Sequence, residues 1–267
     1  MGNLASNSAR NLASNLAKYG SLKDKRVFIT GGGTGIGAAL VEAFAAQGAL
    51  VAFVDIAREA SLALCARLAE AGLPAPLFRY CDITDIAALQ GVMEELSVGV
   101  GDFDVLVNNA ANDERHKLED VSVEYWNERI AINQRPMFFT CQSVLAGMKR
   151  KGGGSIINVS SISWHVKGGG YPAYATTKAA VVGLTRGLAR DLGAHNIRVN
   201  TVTPGWVMTQ RQIDLWVDAA AEADIQKNQC LPGKLMPEHI AAMVLFLAAD
   251  DSAMCSAQEF IVDAGWC

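Results

Sequence analysis

The chain has 267 residues (28.4 kDa), 51% of them hydrophobic, which is enough to bury the core of one α/β domain. Its 23 Lys and Arg against 27 Asp and Glu leave a net charge of −4 with no long basic run, which excludes nucleic acid and anionic membrane from the expected partners. No apolar run approaches the roughly 18–20 residues that would span a bilayer. The six cysteines (Cys65, Cys81, Cys141, Cys230, Cys255, Cys267) form no Cys-x-x-Cys pair, and the four histidines show no metal-ligand spacing. A reducing, cytoplasmic compartment and no bound metal are the resulting expectations.

Residues 1–22 read as a polar N-terminal extension. Asn-Leu-Ala-Ser-Asn occurs at residues 3–7 and again at 11–15, and Leu4, Leu12 and Leu16 are too sparse for the apolar stretch of a secretory signal. Residues 23–267 read as one domain. Its expected strands are Arg26–Thr30, Leu50–Asp55, Leu77–Tyr80, Val105–Asn108, 155–160, 198–203 and Glu259–Val262. Helices are expected over 36–47, 59–71, 85–96, 122–149, 173–192, 214–228 and Pro237–Ala248. Alternation of continuous Val/Ile/Leu strands with helices predicts a parallel sheet covered on both faces. Right-handed crossovers make it a Rossmann-type, doubly wound α/β domain.

The first strand runs into Thr30-Gly31-Gly32-Gly33-Thr34-Gly35-Ile36-Gly37, which opens the first helix. Glycines there permit a tight turn and bring backbone N–H groups against a pyrophosphate at a helix N-terminus. Asp55 ends the second strand, 24 positions after Gly31. A carboxylate in that place accepts from the adenosine ribose hydroxyls and repels a 2′-phosphate, which favours NAD over NADP. Arg58, three residues on, offers a 2′-phosphate a partner, so NADP stays open.

Tyr174 and Lys178 lie four apart, on one face of a helix. A free tyrosine with a pKa near ~10 is a poor base at neutral pH, but a neighbouring ammonium favours the phenolate. The pair is therefore a candidate proton acceptor.

Together these residues resemble the short-chain dehydrogenase/reductase family from Lys23 to Cys267. Gly31, Thr34, Gly35, Ile36 and Gly37 match the family's nucleotide loop. Cys81-Asp82-Ile83 resembles its adenine-contacting segment, and Asn108-Asn109-Ala110-Ala111 its Asn-Asn-Ala-Gly segment. Pro204-Gly205 with Val207 and Thr209 resembles the segment folded over the nicotinamide. Ser161 stands 13 residues before Tyr174, and Asn133 stands 28 before Ser161, the family's intervals for its catalytic serine and asparagine. Ser160 is the rival serine.

The resemblance implies that Tyr174 takes the hydroxyl proton as hydride leaves for nicotinamide and that Ser161 stabilises charge on the substrate oxygen. It also implies that Lys178 binds the nicotinamide ribose and lowers the tyrosine pKa, and that Asn133 holds a water leading from Lys178 to solvent.

Residues 109–117, 161–165, 229–231 and 263–266 resemble the branch that oxidises aldoses at C1 to aldonolactones. That similarity makes Asn112, Asp113, Arg115, His116, Ser161, Trp164, Tyr174 and Trp206 the expected sugar contacts, with an aromatic plate for the sugar's C–H face. Trp206 departs from the xylose-oxidising type, where a small polar residue stands.

The alternatives are a non-sugar secondary alcohol or ketone of hydroxysteroid or 3-oxoacyl type, handled by the same Ser-Tyr-Lys chemistry, and a non-catalytic nucleotide-binding regulator. The apolar stretch over 173–192 exceeds what one sheet contact needs, which either a buried interface or a deeper single-chain core would explain, and a homotetramer or homodimer is expected.

Overall fold

The computed structural model describes residues 16–267. Seven parallel strands form one sheet in the order β3-β2-β1-β4-β5-β6-β7. They are β1 (Arg26–Thr30), β2 (Leu50–Asp55), β3 (Leu77–Tyr80), β4 (Val105–Asn108), β5 (Gly154–Val159), β6 (Ile197–Pro204) and β7 (Glu259–Val262). Interleaved with them run α1 (Gly35–Ala46), α2 (Arg58–Glu70), α3 (Ile86–Val100), α4 (Val123–Asn133), α5 (Arg135–Lys151), α6 (Pro172–Leu192), α7 (Gln210–Leu215), α8 (Ala219–Asn228) and α9 (Pro237–Ala248). The expected doubly wound α/β domain is the one observed.

Because successive strand side chains point to opposite faces, the apolar runs feed two cores. Val27 and Ile29 of β1, Phe53 of β2 and Val107 of β4 pack beneath α1 and α9 with Phe44 and Val244. Phe28, Ala52, Val54 and Leu106 face the other way, against Leu89 and Met93 of α3 and Val144 and Met148 of α5. Strand order reverses between β1 and β4, and the strands' C-terminal ends open a crevice there, where doubly wound sheets bind ligands.

Two expected helices are each divided. The helix expected over 122–149 breaks at Gln134 (φ −130°, ψ −55°) into α4 and α5. Pro136 lacks the N–H that would continue the α4 ladder but suits the first turn of α5. The helix expected over 214–228 is two pieces, because the carboxylate of Asp218 accepts from Ala221 N at 2.8 Å and caps a new helix, α8.

Of the segment read as an extension, residues 1–15 lie outside the described residues. Its remaining residues engage the domain. Leu22 is fully buried in the core, Tyr19 N donates to Gln47 Oε1 (2.9 Å), and Gln47 Nε2 donates to Ala17 O (2.9 Å). Among the described residues no helix is long and apolar enough to cross a membrane.

Candidate active site

At the C-terminal end of β1 the chain turns through Gly31 (φ 69°) and Gly35 (φ 53°) into α1. A side-chain carbon on Gly31 would stand 2.8 Å from Ala110 Cα, and one on Gly37 would collide with the Gly31 carbonyl oxygen. The turn is pinned from β4: Asn109 Nδ2 donates to Thr30 O (3.1 Å) and to Gly31 O (2.9 Å). The Asp55 carboxylate accepts from Gly33 N (2.7 Å) and from Ala57 N (2.8 Å), so its charge sits directly beside the glycine turn. Asp82 accepts from Thr84 N (2.9 Å) and presents its loop, with Ile83, to the same wall. Glycine at these positions leaves a backbone-lined cradle at the α1 N-terminus, a shape and polarity that fit a dinucleotide pyrophosphate.

This cradle opens into a cleft of about 1700 Å³ that Ser161, Tyr174 and Lys178 also line. Ser161 begins the short 3₁₀ turn after β5, its Oγ accepting from Ser163 N (3.1 Å). Ser160, one residue earlier, is buried and donates to the Lys178 carbonyl (2.8 Å). Lys178 on α6 is itself 1% exposed, and its Nζ donates to Val159 O at 2.9 Å.

Burial lowers the Lys178 pKa to about 8, with Asp113 opposing the shift. Tyr174, half-buried one turn earlier on α6, has its phenol pushed well above the usual range by burial and then by the charge of Asp113. The hydrogen bond with Ser161 pulls it back in part. The expected lowering by Lys178 is not among the causes: its Nζ lies 5.7 Å from the Tyr174 ring centroid and is spent on Val159. The Asn133 amide, expected to hold a water, has both polar atoms on Asn112, accepting from its N (2.7 Å) and donating to its O (3.0 Å).

Beyond Tyr174 the walls are polar and aromatic. Asp113 reaches across from the loop after β4 and accepts from Gln212 Nε2 (2.6 Å), while Gln212 Oε1 accepts from Trp206 Nε1 (3.0 Å). Arg211 adds a longer contact to Asp113 at 3.4 Å. The Arg115 guanidinium stands over Trp216 (4.4 Å to the ring centroid) and Trp206 (5.5 Å). Pro204, Gly205, Val207 and Thr209 line the cleft beside them.

Two expected sugar contacts lie elsewhere. His116 turns from the cleft to accept from Ala173 N (3.2 Å), and Trp164 packs on His165 with ring centroids 3.7 Å apart. Gln212, Arg211, Tyr171, Trp216 and Trp266 line the cleft without having been singled out as contacts. Of these, Trp266 carried a sequence signal as part of the tail segment 263–266 and Tyr171 as part of the glycine-rich approach over 167–172, whereas Gln212, Arg211 and Trp216 carried none. Asp263, itself buried, accepts from the backbone N–H groups of Gly265, Trp266 and Cys267 and holds that tail in place.

A family model described as enoyl-(acyl carrier protein) reductase matches residues 31–267. A D-xylose 1-dehydrogenase of Caulobacter vibrioides is 52% identical over 250 residues, covering 94% of this chain and 98% of that one. A probable galactose dehydrogenase of Rhizobium meliloti is 47% identical over 249 residues, covering 93% and 97%. A solved short-chain dehydrogenase/reductase from Serratia marcescens matches with a TM-score of 0.86 at 33% identity, over 92% of this chain and 99% of that one.

This chain belongs to the short-chain dehydrogenase/reductase family. As a family member it is an oxidoreductase that uses a nicotinamide dinucleotide, NAD or NADP, and acts on a CH–OH carbon of a small molecule.

The buried amine of Lys178 has a stability consequence. Its folded pKa of about 8 lies below the unfolded value near 10.5, so its share of stability is complete above pH 10.5 and is lost as pH falls through 8. At pH 7 the fold carries a buried ammonium at a cost. Lys178→Met should therefore raise the thermal midpoint at pH 7 while removing activity, and should flatten the gain of stability between pH 8 and 10.5. Calorimetry across that range checks it; an unchanged or lower midpoint at pH 7 would count against a costly buried amine.

Proposed function

We propose that the protein oxidises the anomeric hydroxyl of a cyclic aldose to the aldonolactone, with NAD preferred over NADP. The observation that carries this reading is the Asp113–Gln212–Trp206 chain beside Tyr174: a fixed carboxylate and amide to match sugar hydroxyls, and an indole plate for a sugar's C–H face. Xylose- and galactose-oxidising relatives support the same substrate class. Steroid or acyl substrates would want a mostly apolar wall here. Asn133, Ser161, Tyr174 and Lys178 together argue against a regulator without chemistry.

When bound, the oxidised nicotinamide supplies the hydride acceptor and a positive charge. The chain does the rest. Ser161 Oγ donates to the C1 oxygen, and Tyr174 Oη takes the C1 hydroxyl proton. Burial and Asp113 hold Tyr174 protonated in the protein alone, so the phenolate form is favoured only with a compensating positive charge nearby. Lys178, anchored at Val159, binds the nicotinamide ribose. Asn133 fixes Asn112, and with it the loop that aims Asp113.

The Asp55 carboxylate beside Gly33 supports NAD. Arg58, the residue open to a 2′-phosphate, lies over the Tyr80 ring at 4.7 Å and is not part of the cleft wall. Exposed Trp126, Phe138 and Ile261, and the apolar groove formed by Ile130, Phe138, Phe139 and Leu184, support a homodimer or homotetramer. Six free cysteines support a reducing, cytoplasmic setting.

Initial rates of reduced-cofactor formation on pentoses, hexoses, 6-deoxyhexoses and secondary alcohols test the reading. Turnover of aldoses with NAD is expected; activity confined to non-sugar alcohols would overturn it. In Tyr174→Phe, kcat on the preferred aldose should fall roughly 10²–10⁴-fold with NADH binding retained, and full turnover would remove Tyr174 as the proton acceptor. Asp55→Ala should move the NAD-to-NADP ratio of kcat/KM toward NADP by about tenfold or more, the equivalent of ~1.4 kcal/mol. An unchanged ratio would place the preference elsewhere.

A further inference from the structure

The helix that carries Tyr174 and Lys178 begins badly. Lys167 is followed by Gly168, Gly169 and Gly170, the last at φ 85°, a stretch with little intrinsic stiffness. Tyr171, at the cap position of α6, makes no side-chain cap bond, and Pro172 has no N–H to offer. The first free N–H of the helix is that of Ala173, the residue before Tyr174. It donates to His116 Nε2 at 3.2 Å.

The same histidine grips the glycine run, for its own backbone N–H donates to Gly170 O at 2.8 Å. Its ring is held from behind. Nδ1 lies 3.0 Å from Tyr125 Oη, and the two rings meet edge to face with centroids 5.1 Å apart. Tyr125 in turn lies under the Arg129 guanidinium, 4.9 Å from the ring centroid. Arg129 is 1% exposed and pairs with Glu114 (3.2 Å) and Glu128 (2.7 Å).

An Nε2 that accepts from an amide must carry a lone pair, so the proton is on Nδ1 and is donated to Tyr125 Oη. His116 is thus a directed acceptor rather than a swinging surface ring. Asp113 and Arg115, its neighbours in the same loop, line the cleft; His116 does not.

We propose that His116 is a positioning residue: it caps the N-terminus of α6 and staples the glycine run to the substrate loop, and so holds the Tyr174 hydroxyl in register with Ser161. Arg129 and Tyr125 are the buttress that keeps its ring turned to Ala173. The proposal rests on the reading of Tyr174 as proton acceptor, since a small displacement of a reacting group is enough to cost a large factor in rate.

The test compares His116→Ala with His116→Gln, whose amide oxygen can take over the Nε2 acceptor position. Each is measured for kcat, for KM of NAD and of the aldose, for thermal midpoint, and for hydrogen exchange of the peptide spanning residues 168–176 without added substrate. In His116→Ala, kcat should fall about 10- to 100-fold, with KM for NAD within roughly twofold and with faster exchange in that peptide. His116→Gln should recover most of the rate and the slow exchange.

Unchanged exchange together with a loss confined to the aldose KM would make His116 a substrate contact and overturn the proposal. So would a His116→Gln protein as impaired as His116→Ala, or faster exchange with undiminished kcat. Failure of the Tyr174 reading itself shows separately, as turnover that survives in Tyr174→Phe.

Discussion

Two reciprocal hydrogen bonds between Lys178 and the end of β5 fix the geometry on which the site depends. The Lys178 side chain donates to Val159 O, and the Lys178 carbonyl accepts from Ser160 Oγ. One residue of α6 is thereby locked at both its main chain and its side chain to the strand end that delivers Ser161. Tyr174, one turn earlier on the same helix face, inherits that register. The constraint explains why two adjacent serines take different places: Ser160 is structural glue, and Ser161 is left facing the cleft.

The lock sits on a buried polar network rather than on apolar packing alone. Thr140 Oγ1 donates to Asn108 Oδ1 (2.6 Å), Asn108 Nδ2 to Asn158 Oδ1 (2.9 Å), and Asn158 Nδ2 to Thr185 Oγ1 (3.0 Å). Thr201 Oγ1 closes the series on Thr185 at 2.8 Å. The series ties β4, β5 and β6 to α5 and α6 with directional bonds, which specify one arrangement where methyl groups would tolerate several. The same region sets the electrostatics. Burial makes the Lys178 ammonium easier to deprotonate and the Tyr174 phenol harder, so in the protein alone Tyr174 keeps its proton and the ammonium that Lys178 carries at pH 7 is held at a cost.

Much of this was legible in the sequence because it depends on local pattern. The strands' alternation, the glycine turn and the four-residue step from Tyr174 to Lys178 each follow from backbone periodicity. What periodicity cannot give is where a continuous helical pattern is cut. The run through residues 122–149 is helical in composition throughout, and the break at Gln134 comes from Pro136, with Asn133 turned onto Asn112.

Nor can spacing say which way a loop side chain points. His116 and Asp113 share one polar loop, yet one holds a helix and the other faces the cleft. Gln212 carried no signal at all; its importance lies in two partners 99 and six residues away.

The most direct measurement is the fate of the carbon itself. D-xylose or D-galactose labelled with ¹³C at C1 is incubated with the protein and NAD, and the product is followed by NMR. The account predicts that the label moves from the anomeric region to a lactone carbonyl, and then to a carboxylate as the lactone hydrolyses, in step with reduced cofactor. Reduced cofactor accumulating while the label keeps its anomeric shift would mean that another hydroxyl is oxidised, and would contradict it.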